Sequence, residues 1–239
     1  MRKKFPKNLD IGKSNLSDIR HYAIIPARKN SIGLPFKNRK FFDKKFNFLK
    51  KMNFFNDIIV STNDDVLIKK CIKREITFIT RSEKLSGSKV PIKSVFIDII
   101  KKFNFSKNDI LWLFYIPLVF NSTSDIKKAK NLIEINKVKS ICGFTEVKTH
   151  PFNTWQIKKN YIKKFYNNDV FRRQDLPKLF EHHHHICAFD TSKIKDLNSE
   201  LIANFTFPYI IDDKTKKKLI EIDTKEDLMK IKKNEKKIS

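Results

Sequence analysis

The chain has 239 residues and carries 51 Lys and Arg against 26 Asp and Glu, a formal charge of +25 at pH 7. Hydrophobic residues make up 40% of it, including 22 Phe, which is too much apolar material for a disordered chain. A globule of this size buries roughly 70–75% of its unfolded surface, so it needs no disulfide or structural metal. The longest apolar run, Ile110–Phe120, is shorter than the ~20 residues that span a bilayer. With no apolar stretch after its basic start, the chain is expected to stay in the cytoplasm.

The positive charge has two possible origins. Lysine is spread along the whole chain together with abundant Ile, Asn and Phe and only 4 Gly, as expected for a genome rich in A and T. A strong positive field also attracts nucleotides and nucleic acid. The total charge does not choose between these origins. Cys71, Cys142 and Cys187 lack metal-ligand spacing and are predicted to be reduced, packed thiols.

Strand and helix patterns alternate after a predicted mobile tail, residues 1–20. Short buried runs ended by turn signals predict parallel strands, and amphipathic stretches predict helices between them. The predicted helix Asp64–Lys73 has Val66, Ile68 and Ile72 roughly on one side. This alternation predicts a doubly wound, mostly parallel, Rossmann-like α/β fold. In chain order, the predicted segments are Tyr22–Pro26, Arg39–Met52, Asp57–Thr62, Asp64–Lys73, Glu75–Ile79, Pro91–Phe103, Asp109–Ile116, Ser124–Asn136 and Val138–Val147.

The alternation stops after Val147, and we interpret residues 149–180 as an arm inserted into one domain of residues 21–239. The arm contains a predicted hairpin across Lys159-Asn160, and because a lone hairpin is marginally stable, it is expected to pack against something. The domain then resumes and ends in a helix from Thr224, where Thr-Lys-Glu-Asp offers an N-cap. The resumed strands are predicted at Ile186–Phe189, Phe207–Ile211 and Leu219–Ile222.

A candidate phosphate-binding loop follows the first strand, at the sheet edge where ligands bind in open parallel sheets. Ser31 and Gly33 let backbone N–H groups turn toward an anion, and Arg28 and Lys37 can grip phosphate oxygens from either end. The loop lacks the Walker A order and the dinucleotide GxGxxG, which excludes ordinary kinases and dehydrogenases. A plain basic surface turn is the alternative on spacing alone.

Glu221 and Asp223 form a candidate metal pair. Residues i and i+2 of a strand point to the same face, so the two carboxylates can share one divalent ion. Two solvated carboxylates on an edge strand are the alternative.

The loop resembles a known family. Residues 23–38, AIIPARKNSIGLPFKN, are similar to the nucleotide-binding signature of acylneuraminate cytidylyltransferases, approximately IPAR-x-x-S-x-G-[IL]-P-x-KN. Lys37-Asn38 favours this branch over the 3-deoxy-octulosonate enzymes, which usually have Lys-Pro. The resemblance runs from about Tyr22 to the last helix, through DIIVSTND (57–64), residues 81–88, HPFNTWQI (150–157), RRQDLPKLF (172–180) and IEIDTKEDL (220–228).

The resemblance implies roles for particular residues. The CTP triphosphate and ribose would be held by Arg28, Ser31, Gly33, Lys37 and Asn38. Arg81 and Ser86 would lie near the cytosine, and Mg²⁺ would be held by Glu221 and Asp223. The arm would pair two subunits and carry Arg173 and Gln174 to the acceptor sugar of the partner. Arg28, Lys37 and Asp223 are the implied catalytic residues.

The chain departs from its relatives on the acceptor side. Many members have Gln-Pro-Thr-Ser-Pro-Leu-Arg after the fourth strand, but this chain has LFYIPLV at 113–119, without the Gln that would touch the acceptor. It also has Asn153 where relatives often carry Lys. Where relatives have Pro-Asn-Gly-Ala, four histidines occupy residues 182–185, which suits a polar sugar wall or plain surface better than a metal site.

These observations predict a cytidylyltransferase that transfers CMP from CTP to a nonulosonic, sialic-acid-like sugar and releases pyrophosphate. The protein is expected to be a homodimer that binds no membrane. Two alternatives stay open: a nucleotide-binding homologue without turnover, because the Gln is missing, and a basic nucleic-acid-binding α/β protein. The second is less favoured because the lysines are not concentrated with aromatic residues.

Overall fold

Helices and strands alternate along the chain, as the sequence predicts. The computed structural model describes residues 19–30, 33–224 and 226–229. The strands are β1 His21–Ala27, β2 Phe55–Thr62, β3 Phe78–Thr80, β4 Ile110–Leu113, β5 Ser140–Glu146, β6 Trp155–Lys158, β7 Tyr161–Lys164, β8 Phe180–Asp190 and β9 Phe207–Ile210. The helices are α1 Lys37–Lys50, α2 Asp65–Lys73, α3 Glu83–Ser86, α4 Ile92–Lys102, α5 Thr123–Asn136 and α6 Asp213–Lys216.

Seven strands form one central sheet in the order β3-β2-β1-β4-β8-β5-β9. The neighbours β3, β2, β1 and β4 are parallel, and β9 is parallel to β5. Only β8, among the described strands of this sheet, runs antiparallel to its neighbours. Buried residues of α1, α2 and α5 cover one face, and those of α4 cover the other. The predicted doubly wound, mostly parallel sheet is therefore confirmed.

The ends of the predicted domain differ in what the structure describes. Residues 1–18 of the predicted tail and most of the basic chain end lie outside the described residues. Within the predicted tail, Ile19 packs against the core, and Arg20 pairs with Asp109 at 2.7 Å. Thr224 and Asp227 make the reciprocal hydrogen bonds of a capping box, and residues 226–229 are helical.

Two local predictions are wrong. In α2, Leu67 and Cys71 are the buried residues, whereas Val66 and Ile72 are exposed. The buried pair is spaced i, i+4 and faces the sheet, so the core requires a different side of this short helix. The predicted strand Leu219–Ile222 is also wrong. It makes one isolated antiparallel bridge, from Glu221 to Leu118, because its partner is a loop rather than a strand.

The four histidines lie in β8 at a change of register. Cys142 pairs with Cys187, but the next residue of β5, Gly143, pairs with His183, so residues 184–186 of β8 form a bulge. A Cβ on Gly143 would lie 2.8 Å from the His183 carbonyl oxygen. Glycine is therefore required where the bulge crosses β5. The three cysteines are buried free thiols, as predicted.

The predicted hairpin is present as a separate two-stranded sheet of β6 and β7. Trp155, Ile157 and Ile162 share one of its faces, because Ile157 pairs directly with Ile162, and they are 53%, 80% and 64% exposed. The opposite face carries Gln156 and Lys163, which are paired with each other. The hairpin thus has a largely apolar and largely exposed face, on which Lys164 lies over the Trp155 ring. None of the helices described here combines the length and hydropathy needed to cross a bilayer.

A buried histidine ties β1 to β4 and α5 at the amino ends of the strands. The Trp112 indole N–H donates to His21 Nδ1 at 2.9 Å, so the ring proton of neutral His21 must lie on Nε2, which is 3.1 Å from Glu134 Oε1. Burial lowers the pKa of His21, although Glu134 opposes the shift. Protonation at Nδ1 would remove the acceptor that the indole uses.

We therefore expect the protein to lose stability on mild acidification. Besides His21, three residues of β8 have lowered pKa values, with burial as the main cause: His183, and His184 and His185 at about 4. The unfolded chain then binds more protons than the folded one between about pH 6.5 and 4, so this contribution is complete above pH 6.5 and declines as the pH falls. Urea unfolding at pH 7.5 and 5.0 should show a loss of at least ~1 kcal/mol. Equal stability at both pH values would contradict the neutral, buried state of these rings.

Candidate active site

A cleft of about 260 Å³ opens at the carboxyl ends of β1, β3 and β4. Five of the residues singled out from the sequence line it: Arg28, Lys37, Asn38, Arg81 and Glu221. A larger cleft, about 320 Å³, lies at the amino end of β2 and contains none of the predicted site residues. The smaller cleft is the candidate site because cations and a carboxylate from four segments meet there.

The loop after β1 is fastened to the sheet edge through its backbone. Asn38 is buried, and its side-chain amide donates to the Arg28 carbonyl oxygen at 2.9 Å. The Lys29 N–H donates to Asn63 Oδ1 at 2.8 Å. Asn38 therefore supports the loop that carries Arg28 as well as lining the cleft. Ser31, the predicted serine of this loop, lies outside the described residues.

Two guanidinium groups line the cleft without an ion pair. Neither Arg28 nor Arg81 has a carboxylate oxygen within 4 Å among the residues described. Arg81 is only 5% exposed, and it donates to the Ser61 hydroxyl at 3.2 Å and to the Ser61 carbonyl at 2.7 Å. Burial, followed by the positive charge of Arg28, lowers the pKa of Arg81 to about 10. An anion in the cleft would supply the missing counter-charge.

Lys37 begins α1 and reaches the last described segment of the domain. Its Nζ donates to Asp223 Oδ1 at 2.5 Å and to the Ile222 carbonyl oxygen at 3.2 Å. An ammonium group has three protons, so one remains for a further acceptor. Lys37 thus joins the phosphate-loop side of the cleft to the carboxylate side.

Gly33 is where these two sides approach most closely. A Cβ placed on Gly33 would lie 2.2 Å from the Asp223 carbonyl oxygen. Any side chain at this position would push apart the loop and the segment that carries Asp223. The glycine is therefore required by close packing rather than by an unusual backbone angle.

Glu221 and Asp223 flank the fully buried Ile222. The negative charge of Asp223 acts on Glu221, so the two carboxylates are neighbours even though no strand forms. Glu221 retains access to solvent at the cleft mouth, yet partial burial and then the negative charge of Asp223 raise its pKa, whereas Lys37 lowers it. A divalent cation would relieve this repulsion.

The donor set fits Mg²⁺ better than a metal held only by protein. Mg²⁺ commonly takes one or two carboxylates and completes its shell with water and substrate phosphates. Within the described chain, no group of three His, Cys, Asp or Glu residues could hold a metal. The histidines of β8 therefore form no metal site there, and the two-carboxylate pair is the candidate.

The remaining predicted residues lie at or beyond the edge of the cleft. The Ser86 hydroxyl donates to the Ser82 carbonyl at 2.9 Å, and its neighbours Leu85 and Gly87 line the cleft. Arg173 and Gln174 lie exposed in a short 3₁₀ turn of the arm and do not line the cleft.

Sequence reasoning missed Tyr115 as a wall of the cleft. Burial is the main cause of its raised pKa, and its ring meets the His184 ring edge-on at 5.0 Å. Its position just after β4, at the edge of the sheet where ligands bind, could have identified Tyr115 as a cleft residue.

Comparison with known proteins identifies similar sequences and similar folds. The chain is similar in sequence to N-acylneuraminate cytidylyltransferases. Those of Streptococcus agalactiae serotypes III and Ia are 29% identical to it over 167 residues, which cover 66% of this chain. The resemblance predicted from the motifs is confirmed. The chain spans 40% of the length of these relatives. No family model matches it.

Solved structures share the fold. A CMP:2-keto-3-deoxy-manno-octonic acid synthetase complexed with CTP matches with a TM-score of 0.63 and 12% identity, covering 92% of this chain and 100% of its own. A cytidylyltransferase from Leptospira borgpetersenii matches with a TM-score of 0.56 and 18% identity, covering 88% and 84%. These likenesses confirm the Rossmann-like architecture.

Gly33 and Gly87 give a matched test of the close approach at Gly33. We expect Gly33→Ala to destabilise the protein by about 1–3 kcal/mol, the scale of overpacking, because its Cβ meets backbone. Gly87→Ala should stay within ~0.5 kcal/mol, since its Cβ would lie at an ordinary 3.5 Å from a Val90 methyl group. Thermal or urea unfolding of both variants measures the difference. Equal stabilities would show that the loop and the Asp223 segment separate without cost.

Proposed function

We propose that this protein is a cytidylyltransferase that transfers CMP from CTP to the anomeric hydroxyl of a nonulosonic, sialic-acid-like sugar. The observation that carries the proposal is the cleft where Arg28 and Arg81, which have no ion pair within the described part of the chain, lie with Lys37 and Glu221, next to Asp223. Unpaired guanidinium groups suit phosphate, and paired carboxylates suit the divalent ion that accompanies a triphosphate. The sequence similarity to N-acylneuraminate cytidylyltransferases supports cytidine as the nucleoside.

In the proposed reaction, the anomeric hydroxyl of the sugar loses its proton to water, and its oxygen attacks the α-phosphorus of CTP. The bond from that phosphorus to the oxygen bridging to the β-phosphorus breaks, and pyrophosphate leaves. Arg28 and the third proton of Lys37 would hold the departing oxygens, whose negative charge grows as the bond breaks. No covalent intermediate is required, so the residues act by positioning and by charge.

Mg²⁺ would be held by Glu221 and Asp223. When bound, the ion supplies charge neutralisation at the phosphates and makes the attacking hydroxyl more acidic. Lys37 lies beside Asp223 and would keep that carboxylate directed toward the cleft. Arg81 and the loop at Ser86 would lie on the base side, where backbone groups near Gly87 are open to the cleft.

The proposed acceptor side needs a second copy of the chain. Arg173 and Gln174 are on the exposed arm and outside the cleft. The largely exposed apolar face of the hairpin, formed by Trp155, Ile157 and Ile162, offers a surface on which a two-fold partner can pack. We infer that the arm of one subunit would bring Arg173 and Gln174 to the cleft of the other.

Pyrophosphate release from CTP and Mg²⁺ across a panel of acids tests the function. The panel contains N-acetylneuraminate, legionaminate, pseudaminate and 3-deoxy-octulosonate, and release is expected with at least one. Lys37→Ala should lower turnover by at least ~10²-fold, the scale for losing one charge-stabilising donor. Lys29→Ala is the matched control, because Lys29 pairs with Asp65 outside the cleft.

The other outcomes identify the rival functions. CTP binding without release for any acid would favour a homologue without turnover. Salt-sensitive binding of single-stranded RNA, in the absence of CTP binding, would favour a nucleic-acid-binding protein.

The proposed metal site is tested by Asp223→Asn, which keeps the shape and removes the charge. We expect turnover to collapse by at least ~10²-fold, with little recovery at high Mg²⁺, since one of two metal carboxylates is lost. Glu221→Asp should retain activity because it keeps both carboxylates. Asp213→Asn, in α6 and outside the cleft, is the control. Full activity of Asp223→Asn at ordinary Mg²⁺ would place the metal elsewhere.

Assembly is tested on the two faces of the hairpin. We expect Ile157→Asp to give a monomer in sedimentation, because it puts a charge on the apolar face, whereas Gln156→Asp on the opposite face should leave the dimer intact. Arg173→Ala should raise the sugar KM or lower turnover and leave CTP binding unchanged. A fully active wild-type monomer at assay concentration would remove both the dimer and the role of Arg173 across it.

A further inference from the structure

Lys45 lies in the middle of α1 with its side chain in the interior. It is only 2% exposed, as buried as the aromatic core beside it. Its Nζ donates to the Leu118 carbonyl oxygen at 2.5 Å and to Asn121 Oδ1. Both acceptors are uncharged and belong to the loop that follows β4.

This lysine has no counter-charge among the described residues. Burial, followed by the charge of Lys44, lowers the pKa of Lys45 to about 7. An apolar residue of similar length would avoid the cost of burying an amine. A contribution to stability therefore does not explain why a lysine is buried at position 45. Its two hydrogen-bond acceptors indicate its role instead.

The acceptors belong to the loop that supports the candidate metal segment. Leu118 makes the isolated antiparallel bridge to Glu221. The neighbouring Pro117 carbonyl accepts the Ile222 N–H at 3.0 Å. These backbone contacts hold one side of residues 221–222 in the absence of a strand, and Lys37 holds the other through the Ile222 carbonyl. Lys45 holds the far side of the same loop.

The lysine also fixes a longer polar chain through Asn121. Because Lys45 is only a donor, it sets Asn121 Oδ1 toward itself and the amide nitrogen toward His185 Nδ1, at 3.2 Å. His185 Nδ1 is then an acceptor, and its Nε2 lies 3.4 Å from the Ser122 backbone N and 3.5 Å from Asp125 Oδ2. Tyr209 donates to the other oxygen of Asp125 at 3.0 Å. The buried amine thus orients Asn121 and, through it, contacts His185 of β8, next to Asp125 of α5 and Tyr209 of β9.

We propose that Lys45 is a positioning residue that holds the loop 117–121 and, through it, the carboxylates of Glu221 and Asp223 at the cleft. Among the described residues, it makes no hydrogen bond to the nucleotide loop or to the two carboxylates. The role at the reaction rests on the proposed function, whereas the positioning of residues 221–223 does not.

Amide hydrogen exchange of Lys45→Met tests the positioning directly. Methionine has a similar length and carries no charge, so the variant is expected to fold. Exchange of the amides at 219–223 should become about tenfold faster, while the amides of β1 are unchanged, since the loop loses its anchor but the sheet does not. Lys50→Met, at the exposed end of the same helix, should leave both regions as in the wild type.

Kinetics tests the consequence at the site. We expect kcat of Lys45→Met to fall about tenfold or more, with the KM for CTP within about twofold of the wild type, because Arg28, Lys37 and Arg81 are untouched. Asn121→Ala, which keeps Lys45 and removes one acceptor, should show smaller changes of the same kind. It also provides the test if Lys45→Met does not fold.

Two results would overturn the proposal: unchanged exchange at 219–223 in Lys45→Met and Asn121→Ala, or equal acceleration in β1, which would indicate general destabilisation. A kcat equal to the wild type would remove the role at the site. If the wild type shows no CMP transfer with any acid, the proposed function fails, while the exchange experiment still decides whether Lys45 positions the segment.

Discussion

The candidate site depends on the close contact between two backbone segments, the loop at Gly33 and the segment at Asp223. Gly33 follows the first strand, Asp223 lies near the end of the described chain, and no atom larger than hydrogen fits between them. This contact lets Lys37 reach Asp223 and places Glu221 on the wall of the same cleft as Arg28. The sheet supplies the edge on which the cleft is built, but its charges meet only because the last segment folds back over the first loop.

Much of the fold follows from local patterns. The run YAIIP and the run DIIVST predict β1 and β2 because buried parallel strands are continuously apolar and end in turn-forming residues. The N-cap at Thr224 can also be predicted from the sequence, since its hydrogen bonds join residues within one stretch of four. The phosphate loop is readable because its cations and glycine lie within a dozen residues of each other.

Other features depend on contacts that no local pattern contains. The buried side of α2 is chosen by the sheet beneath it, and nine residues are too few to fix that side from periodicity. Residues 219–222 resemble a strand, but their partner is the irregular loop at Leu118, so only one bridge forms. Tyr115 is an aromatic residue in an apolar run, which predicts core until the strand end and the cleft are seen together. Lys45 resembles any other lysine of this chain until its burial is known.

The total positive charge does not indicate a function, but the positions of individual cations do. Most lysines of α1 and α2 are exposed or paired, as with Lys70 and Asp43. Arg81 and Lys45 differ because they are buried without a carboxylate partner in the described chain, and a protein maintains such groups at a cost in desolvation. Most of the positive charge therefore lies on the surface. Of the two desolvated cations, Arg81 lines the cleft, and Lys45 binds the loop beside it.

The antiparallel strand β8 lies between β4 and β5 in the sheet, although it follows both in the sequence. The strand β5 has no neighbour on the β4 side until β8 is inserted, because the described sheet gives it only β8 and β9 as partners. During synthesis, the half of the sheet built from β1 to β4 can assemble early, while β5 must wait for the whole arm and the histidine bulge to emerge. Closure of the sheet is therefore a long-range step, which slows folding and leaves an unpaired strand edge exposed until it is complete.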